Sequence, residues 1–297
     1  MLLRCTASRE GKLNTFLRRE LSMSSSLVSR LKWQNALLVN GAPAHTGHPV
    51  RTGDEVAVRL EETVEGFSPE EMPLSILYED EALIALDKPA GLLTHPSPCR
   101  NDGTLANGLL AYYQKTGQRC GIHPVSRLDR DTFGVVLLAK NAYVHEKFRQ
   151  LHQSGGIRKT YRACVYDVPD ADCGTIDLPV FKLGGGSLLR IVDVRGQQAV
   201  TEFAVLRRWK RTALLALHPI TGRTHQIRLH CLASGWPILG DPQYATDASR
   251  AYSAQCGIAP QQLCAAELAF THPLTGEAVR ILSQQDVLCP EAEDSRL

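Results

Sequence analysis

The chain has 297 residues, of which 43% are hydrophobic, and its formal net charge at neutral pH is +2. This length supports one sizeable core and a small additional module. No apolar run approaches the roughly 18 residues that a membrane-spanning helix needs, so the sequence predicts no membrane span. Nine cysteines without a C-x-x-C pair or zinc-type Cys/His spacing predict a reduced, cytoplasmic protein with no metal site.

Positive charge is concentrated in two stretches of the sequence. Residues 1–60 contain nine Lys or Arg against four acids, and residues 203–240 contain six Lys or Arg and no acid. The intervening residues 61–71 contain five glutamates and no basic residue. The net charge is too small to indicate a nucleic-acid partner by itself, so this uneven distribution is the more informative feature.

Residues 12–60 have the pattern of a compact basic module. Apolar residues at helical spacing predict two short helices, one around 13–17 and one that follows the serines at 24–26. Two strands are predicted at 36–41 and 54–59, with Asn40-Gly41 as a turn signal. The acidic residues 61–73 are interrupted by Gly and Pro and predict a linker.

A second domain begins with predicted strands at 74–78 and 82–86, followed by a Pro- and Gly-containing loop in which Lys88 could hold a phosphate. A helix is predicted at 102–117. In the stretch from His123 to Asn141, a segment with four charged residues at 127–131, among them Asp129, then leads directly into the apolar run 135–139. Charges beside a core strand are usually paired or functional. A structural Arg–Asp turn and a site are equally compatible with this pattern.

The remaining elements follow from the same periodicities. A helix is predicted at 142–153 and a strand at 158–165, in which Lys159 and Tyr161 share one side. Residues 171–198 predict a hairpin excursion with a flexible point at Gly184–Gly186. Strands at 201–206 and 212–217 flank a basic turn, and a loop then leads into a helix that begins near His225.

Several separated motifs resemble those of one enzyme family. Arg127-Leu-Asp-Arg-Asp-Thr132, with Gly134 and Leu137-Leu-Ala-Lys140 after it, resembles the signature of the RluA-type pseudouridine synthases. Further motifs are similar to that family: Lys88-Pro-x-Gly-Leu-x-x-His95-Pro, Lys159-x-Tyr-x-Ala-x-Val165, Pro219 to His230, Gly240-Asp-Pro-x-Tyr244 and Leu263 to Gly276. Residues 12–60 resemble the small RNA-binding domain, named for a small-subunit ribosomal protein, that many members carry.

The resemblance implies an α+β fold, in which a central, largely antiparallel mixed β-sheet is flanked by helices and a small N-terminal αβ RNA-binding domain precedes it. The expected boundaries are 1–60 for that domain, 61–73 for the linker, 74–285 for the catalytic domain and 286–297 for a polar tail. The implied reaction converts uridine in rRNA or tRNA to pseudouridine. This rearrangement brings in no outside group, so no cofactor and no metal are expected, and a monomer is the simplest assembly.

The family assigns roles to individual residues. Asp129 is the catalytic carboxylate, as nucleophile or as base; Tyr161 lies against the target base; Arg228 pairs with Asp129 and keeps it ionised. A uridine stacked in RNA must be flipped out, and Arg127 is expected to fill the vacated space. Contacts with RNA are expected from Lys88, His95, Lys159, Arg223 and His225, and in the N-terminal domain from Arg18, Arg19, Arg30 and Lys32.

Three positions depart from the family pattern. Ser126 and Cys264 stand where the family commonly has His, and Phe133 stands where it has a small residue. Because of these departures, a second interpretation stays open: an RNA-binding protein that retains the fold but has lost catalytic activity. A hydrolase that uses Ser126 with a nearby His is a third reading, although no G-x-S-x-G elbow surrounds the serine.

Overall fold

The computed structural model describes residues 1–64, 66–97, 100–184 and 189–292. The helices of these residues are α1 (Leu13–Arg19), α2 (Ser25–Trp33), α3 (Leu105–Lys115), α4 (Ala142–Gln153), α5 (Gln226–Ala233) and α6 (Asp247–Gln255), with a 3-10 turn at Pro290–Ala292. Among these described helices, none is long and apolar enough to span a membrane. Of the predicted flexible point, Gly185 and Gly186 lie outside the described residues, as do residues 293–297 of the predicted tail.

The strands are β1 (Leu2–Thr6), β2 (Gly11–Lys12), β3 (Leu37–Val39), β4 (Ala42–Pro43), β5 (Pro49–Val50), β6 (Glu55–Arg59), β7 (Ile76–Glu79), β8 (Leu83–Lys88), β9 (His123–Pro124), β10 (Phe133–Ala139), β11 (Ile157–Tyr166), β12 (Cys173–Asp177), β13 (Val180–Lys182), β14 (Arg190–Val192), β15 (Val200–Arg208), β16 (Thr212–Pro219), β17 (Leu263–Thr271) and β18 (Ala278–Leu282).

The first 60 residues form a small αβ unit. Strands β1, β6, β3 and β4 pair antiparallel in that order, and helices α1 and α2 share their apolar cluster. The Ser24 hydroxyl accepts a hydrogen bond from the Leu27 N–H at 3.2 Å and caps α2. Asn40 and Gly41 both have positive φ angles, 50° and 78°, as a tight hairpin turn between β3 and β4 requires.

A ten-stranded sheet forms the centre of the molecule. Its main path runs β12-β15-β16-β11-β17-β10-β8-β7, while β18 pairs with β17 and β9 pairs with β10. The pairing of β10 with β17 is parallel and the other pairings are antiparallel. The predicted α+β fold with a largely antiparallel mixed sheet is therefore confirmed.

The N-terminal unit packs directly on this sheet. Leu17 and Leu31 belong to the same buried cluster as Leu83, Leu137 and Phe148 of the second domain. The Tyr143 hydroxyl on α4 donates to the Leu21 carbonyl at 3.0 Å. The two units thus share one apolar core, which makes their relative position part of the fold.

Two segments that the sequence presents as a linker and a tail also contact the second domain. In the first, the Glu62 carboxylate accepts from the Arg30 guanidinium at 2.7 Å and from the Ala142 N–H at 2.9 Å. In the second, Asp286 pairs with Arg162 at 2.6 Å and Cys289 is buried. The described residues of these segments form no strand, yet they are fixed by polar contacts and packing. The domain boundaries themselves stay a prediction.

The parallel pairing of β10 with β17 explains one glycine in the central motif. Gly134 lies opposite Ala265 with a φ of 105°, and a Cβ atom there would come within 2.4 Å of the Ala265 carbonyl oxygen. Only glycine permits this approach without displacement of the backbone. The loop that carries Asp129 enters β10 at this point, so the close approach fixes where that loop ends.

Candidate active site

Asp129 lies in the loop between β9 and β10, and buried polar groups hold this loop from both sides. The Lys88 ammonium donates to the Arg130 carbonyl at 2.8 Å, and the Thr94 hydroxyl donates to the Leu128 carbonyl at 3.3 Å. On the other side the Gln261 amide donates to the Thr132 hydroxyl at 2.7 Å. The backbone that presents the carboxylate is therefore anchored before and after Asp129.

Lys88 does not have the position that the sequence suggested. Its side chain is 0% exposed, and its ammonium also donates to the carbonyls of Pro89 at 2.9 Å and Leu92 at 2.8 Å. Three acceptors match the three N–H donors of an ammonium group. Burial lowers the pKa of Lys88 to about 8, although nearby carboxylates act in the opposite direction. The expected phosphate contact is not accessible to this group, which instead supports the loop.

Arg228 approaches Asp129 from the first turn of α5. Its Nη1 atom donates to Asp129 Oδ2 at 3.0 Å, while Nε and Nη2 donate to the two carboxylate oxygens of Asp241 at 2.7 and 2.8 Å. Burial by itself would lower the pKa of Arg228, but the contacts with Asp241 and Asp129 outweigh it and raise that pKa. The two-pronged contact with Asp241 fixes the guanidinium plane, so that one N–H is directed at Asp129.

His225 contacts the same carboxylate from the beginning of α5. It is the residue before the helix and has a left-handed backbone, with a φ of 57°. Its Nδ1 is 2.9 Å from the Tyr244 hydroxyl, which accepts the Arg190 N–H at 2.9 Å. Tyr244 can then donate its own proton to Nδ1, which places the histidine proton on Nε2, 3.9 Å from Asp129 Oδ2. Burial lowers the pKa of His225.

Tyr161 forms another side of the site. It lies on β11 opposite Leu217 of β16, with its ring half-buried in the cavity wall. Burial first, and then the charge of Asp129, raises the pKa of Tyr161, so its phenol is neutral at physiological pH. A neutral aromatic ring beside a carboxylate is suited to stack against a planar base.

These side chains surround one cavity of about 860 Å³. The predicted residues that line it are Arg127, Asp129, Tyr161, Arg228, His95, Lys159, Arg223 and His225. Among the described residues of the lining, Asp129 is the only acid, whereas nine are Arg, Lys or His. One carboxylate within a basic cavity defines an enzyme site for an anionic substrate.

The predicted basic residues of the N-terminal unit lie elsewhere. Arg18 and Arg19 on α1, and Arg30 and Lys32 on α2, are exposed and do not line the cavity within the part of the chain that is described. Arg30 is engaged with Glu62. Their contact with RNA stays a prediction.

Two of the three departures from the family pattern face each other. Phe133 is the register partner of Cys264 where β10 pairs with β17, and both side chains are buried. A large residue on one strand thus lies opposite a small one on the other, so the two departures meet at one place in the core. The Ser126 hydroxyl accepts from the Leu137 N–H at 3.4 Å and has no histidine partner within the described part of the chain, which does not favour a serine nucleophile.

Sequence reasoning missed the residues that support the site. Asp241, Tyr244 and Gln261 hold Arg228, His225 and Thr132 respectively. Asp241 and Tyr244 fall within the recognised motif 240–244, so the motif was visible but the role of each residue was not.

Known proteins share this fold and these motifs. A family model described as RNA pseudouridylate synthase matches residues 82–233. An uncharacterised RNA pseudouridine synthase of Bacillus subtilis, YjbO, is 34% identical over 264 residues, covering 88% of this chain and 91% of that protein. The ribosomal large subunit pseudouridine synthase D of Neisseria meningitidis serogroup B is 34% identical over 282 residues, covering 91% of this chain and 74% of that protein.

Among solved structures, human RNA Pseudouridylate Synthase Domain Containing 4 is 25% identical, with a TM-score of 0.58 over 72% of this chain and 88% of its own. The family match contains the positions of Asp129, Tyr161 and Arg228. The chain belongs to the RluA-type RNA pseudouridine synthases, which are isomerases that act on RNA.

Proposed function

We propose that this chain converts uridine in ribosomal RNA of the large subunit to pseudouridine, with Asp129 as the essential carboxylate. The observation that carries the proposal is the pairing of Asp129 with Arg228 at 3.0 Å in a cavity whose other described ionisable lining residues are mostly basic. The name of the Neisseria relative, a ribosomal large subunit enzyme, supports rRNA as the substrate. Transfer RNA is the second candidate.

The chemistry requires that the bond between ribose and ring nitrogen breaks, that the base turns, and that a carbon–carbon bond forms to the same ribose. All atoms stay within the substrate, so we propose that no cofactor takes part. Asp129 acts on the ribose or the base, as nucleophile or as general base. Arg228 offsets its charge, and Tyr161 holds the turning base by stacking.

Access to the site requires base flipping, which costs a few kcal/mol of stacking and pairing. Arg127 is exposed at the cavity wall two residues before Asp129, where it can fill the space that the uridine leaves. Arg223, His95 and His225 line the same cavity, where they can contact the backbone around the flipped nucleotide. The exposed basic residues of α1 and α2 add a second contact with the RNA.

The test is pseudouridine mapping of rRNA and tRNA from cells that lack the gene and are complemented with wild type or Asp129→Asn. We expect one or more sites to disappear and to return only with wild type. In vitro, Asp129→Asn should lower turnover on the order of 10⁴-fold or more, while RNA affinity is kept because the side-chain volume is unchanged.

Two results would contradict this proposal. Normal modification by Asp129→Asn would remove the catalytic role of this carboxylate. Unchanged RNA in the deletion strain, together with RNA binding by the purified wild type, would favour the binding protein without turnover. In that case Phe133 and Cys264 should be replaced together by the residue types common in the family, to test whether these departures cause the loss of turnover; they are changed as a pair because they are register partners.

We further propose that the protein acts as a monomer in the cytoplasm. The residues proposed for the chemistry line a single cavity, and the eight cysteines of the described residues are free thiols, as in a reducing compartment. Light scattering after size-exclusion chromatography tests the first point, and a mass of 32.7 kDa is expected.

A further inference from the structure

The cavity continues from Asp129 along one face of α4. His145 and His152 lie seven residues apart on this helix, so they share a face, and both line the cavity. Lys159 lines the same side from β11, where it is two residues and about 6.6 Å from Tyr161. His123 stacks on His145 with ring centroids 5.6 Å apart. We call His123, His145, His152 and Lys159 the α4 arm.

The charges of this arm are incompletely compensated. Within the described residues, the Lys159 ammonium and the His152 imidazole have no hydrogen-bonded partner. Lys159 is nevertheless half-buried, and burial lowers its pKa. Burial first, and then the neighbouring Lys159, also lowers the pKa of His152. The half-buried Lys159 ammonium is thus held beside an exposed imidazole without an acid partner in the described residues, which is unfavourable until an anion arrives.

The inner end of the arm differs from the outer end. His123 is paired with Glu62 at 2.5 Å, and Glu62 also holds Arg30 and the Ala142 N–H. This carboxylate is occupied by three partners and lies behind the histidine, away from the lining of the cavity. The outer end, formed by His152 and Lys159, is therefore where an anion meets uncompensated positive charge.

We propose that the α4 arm binds the phosphate backbone of the RNA strand on one side of the flipped uridine, with His152 and Lys159 on one phosphodiester. The inference rests on the proposed function, because it takes RNA as the substrate and places the uridine between Asp129 and Tyr161. The strand must leave that position through the open cavity. The α4 arm provides basic side chains along this path, beginning with Lys159, which is the next residue on the same side of β11 as Tyr161.

The test uses the full chain and a fluorescein-labelled oligouridylate of twelve nucleotides. Dissociation constants are measured by fluorescence anisotropy over a range of salt concentrations for wild type, Lys159→Gln and His152→Gln. Each lost phosphate contact on a single strand should reduce the slope of log K against log salt by about 0.7. The matched control is Lys115→Gln, since Lys115 is exposed at the end of α3 and outside the described cavity lining.

We expect Lys159→Gln to show the reduced slope and weaker binding, and Lys115→Gln to match wild type. With the RNA identified by mapping, Lys159→Gln should raise KM more than it lowers kcat, because the phosphate contact is made before and during reaction. If Lys159→Gln has the same salt slope and KM as Lys115→Gln while the wild type modifies RNA, the phosphate contact of the α4 arm is contradicted and the proposed function is unaffected. A wild type that modifies no RNA would instead remove the proposed function.

Discussion

The two sides of the cavity treat charge in opposite ways. On the side of Asp129, the buried cations have full sets of partners: Arg228 contacts Asp241 and Asp129, and Lys88 contacts three carbonyls. On the α4 arm, Lys159 and His152 lack hydrogen-bonded partners in the described structure. Groups that must keep a fixed geometry for chemistry are bound within the protein, whereas groups that bind a ligand are left for that ligand's charge.

The fixed side is arranged in layers. Asp129 is held by Arg228, Arg228 is held by Asp241, and Asp241 accepts the N–H groups of Gln243 and Tyr244 at 2.9 Å each. The hydrogen bonds of Asp241 thus restrict the orientation of Arg228, and Arg228 in turn restricts that of Asp129. Such an arrangement stabilises a charge in the transition state without reorganisation during the reaction.

The largest effect beyond Asp129 is expected for Asp241→Asn. The amide keeps the size of the carboxylate but offers one oxygen in place of two, so Arg228 loses an acceptor and a compensating charge. Turnover should fall about 10² to 10³-fold while the dissociation constant for the oligouridylate stays within about twofold of wild type. Single-turnover measurement separates the two quantities.

The control for this substitution is Asp247→Asn, which removes an exposed acid at the start of α6. It should match wild type in both turnover and affinity. If Asp241→Asn unfolds in a thermal melt, Gln243→Ala tests the same support through the weaker contact with Arg228 at 3.2 Å. Wild-type turnover in a folded Asp241→Asn protein would show that the orientation of Arg228 is unimportant.

A smaller effect is expected from the titration of Lys88. Below its pKa of about 8 the ammonium supplies three N–H donors to three carbonyls; above it a neutral amine supplies two, and one carbonyl loses its partner. A lowered lysine pKa means that the folded protein favours the neutral amine, so the fold stays stable as pH rises. The loss of one contact should instead change the position of the loop that carries Asp129. We expect turnover to be about tenfold lower at pH 9 than at pH 7.

Lys88→Met provides the comparison for this pH dependence. Its turnover should be low throughout and should lack the decline above pH 8, because the titrating group is gone. A wild type that keeps full turnover to pH 10 would show that the loop does not need the protonated amine. The measurement is kcat from saturating RNA at constant ionic strength.

The fold could be predicted where local patterns decide it. The helix at 142–153 was predicted with its observed bounds, because its apolar residues recur at helical spacing; in the structure Asn141 caps it. Strand β17 was not assigned, since its residues were identified only as a motif. Its parallel pairing joins positions more than one hundred residues apart in the sequence, Phe133 and Cys264, and no local pattern specifies such a partner.

The site shows the same limit. Asp129, Tyr161 and Arg228 were found because they stand in motifs with a family resemblance, and the structure brings them to one cavity. Asp241 lies between Gly and Pro, which indicates only a turn, and its contact with Arg228 arises from the tertiary fold. Lys88 precedes a proline in an apparent surface loop, yet the end of β8 is buried.

The smallest predicted effect belongs to the α4 arm and concerns proton uptake. Burial first, and then His123, lowers the pKa of His145, and burial lowers that of His152, so both are neutral in the free protein at pH 7. A bound phosphate raises both values in the complex. The complex then holds more protons than the free protein, and RNA affinity increases as pH falls from about 7.5 to 5.5.

The neighbours of these histidines are the same in wild type and in a His152→Gln variant. They are Glu146 and Arg149 on α4, His123 with Glu62 behind it, the Pro124 backbone, and Lys159. The other histidines of the cavity are present in both proteins, so the difference between the two pH profiles isolates His152. We expect the gain in affinity on acidification to be about threefold smaller in His152→Gln, measured by anisotropy at fixed ionic strength. Identical profiles for wild type and His152→Gln would mean that this imidazole does not meet a phosphate, and the arm would then act through Lys159 alone.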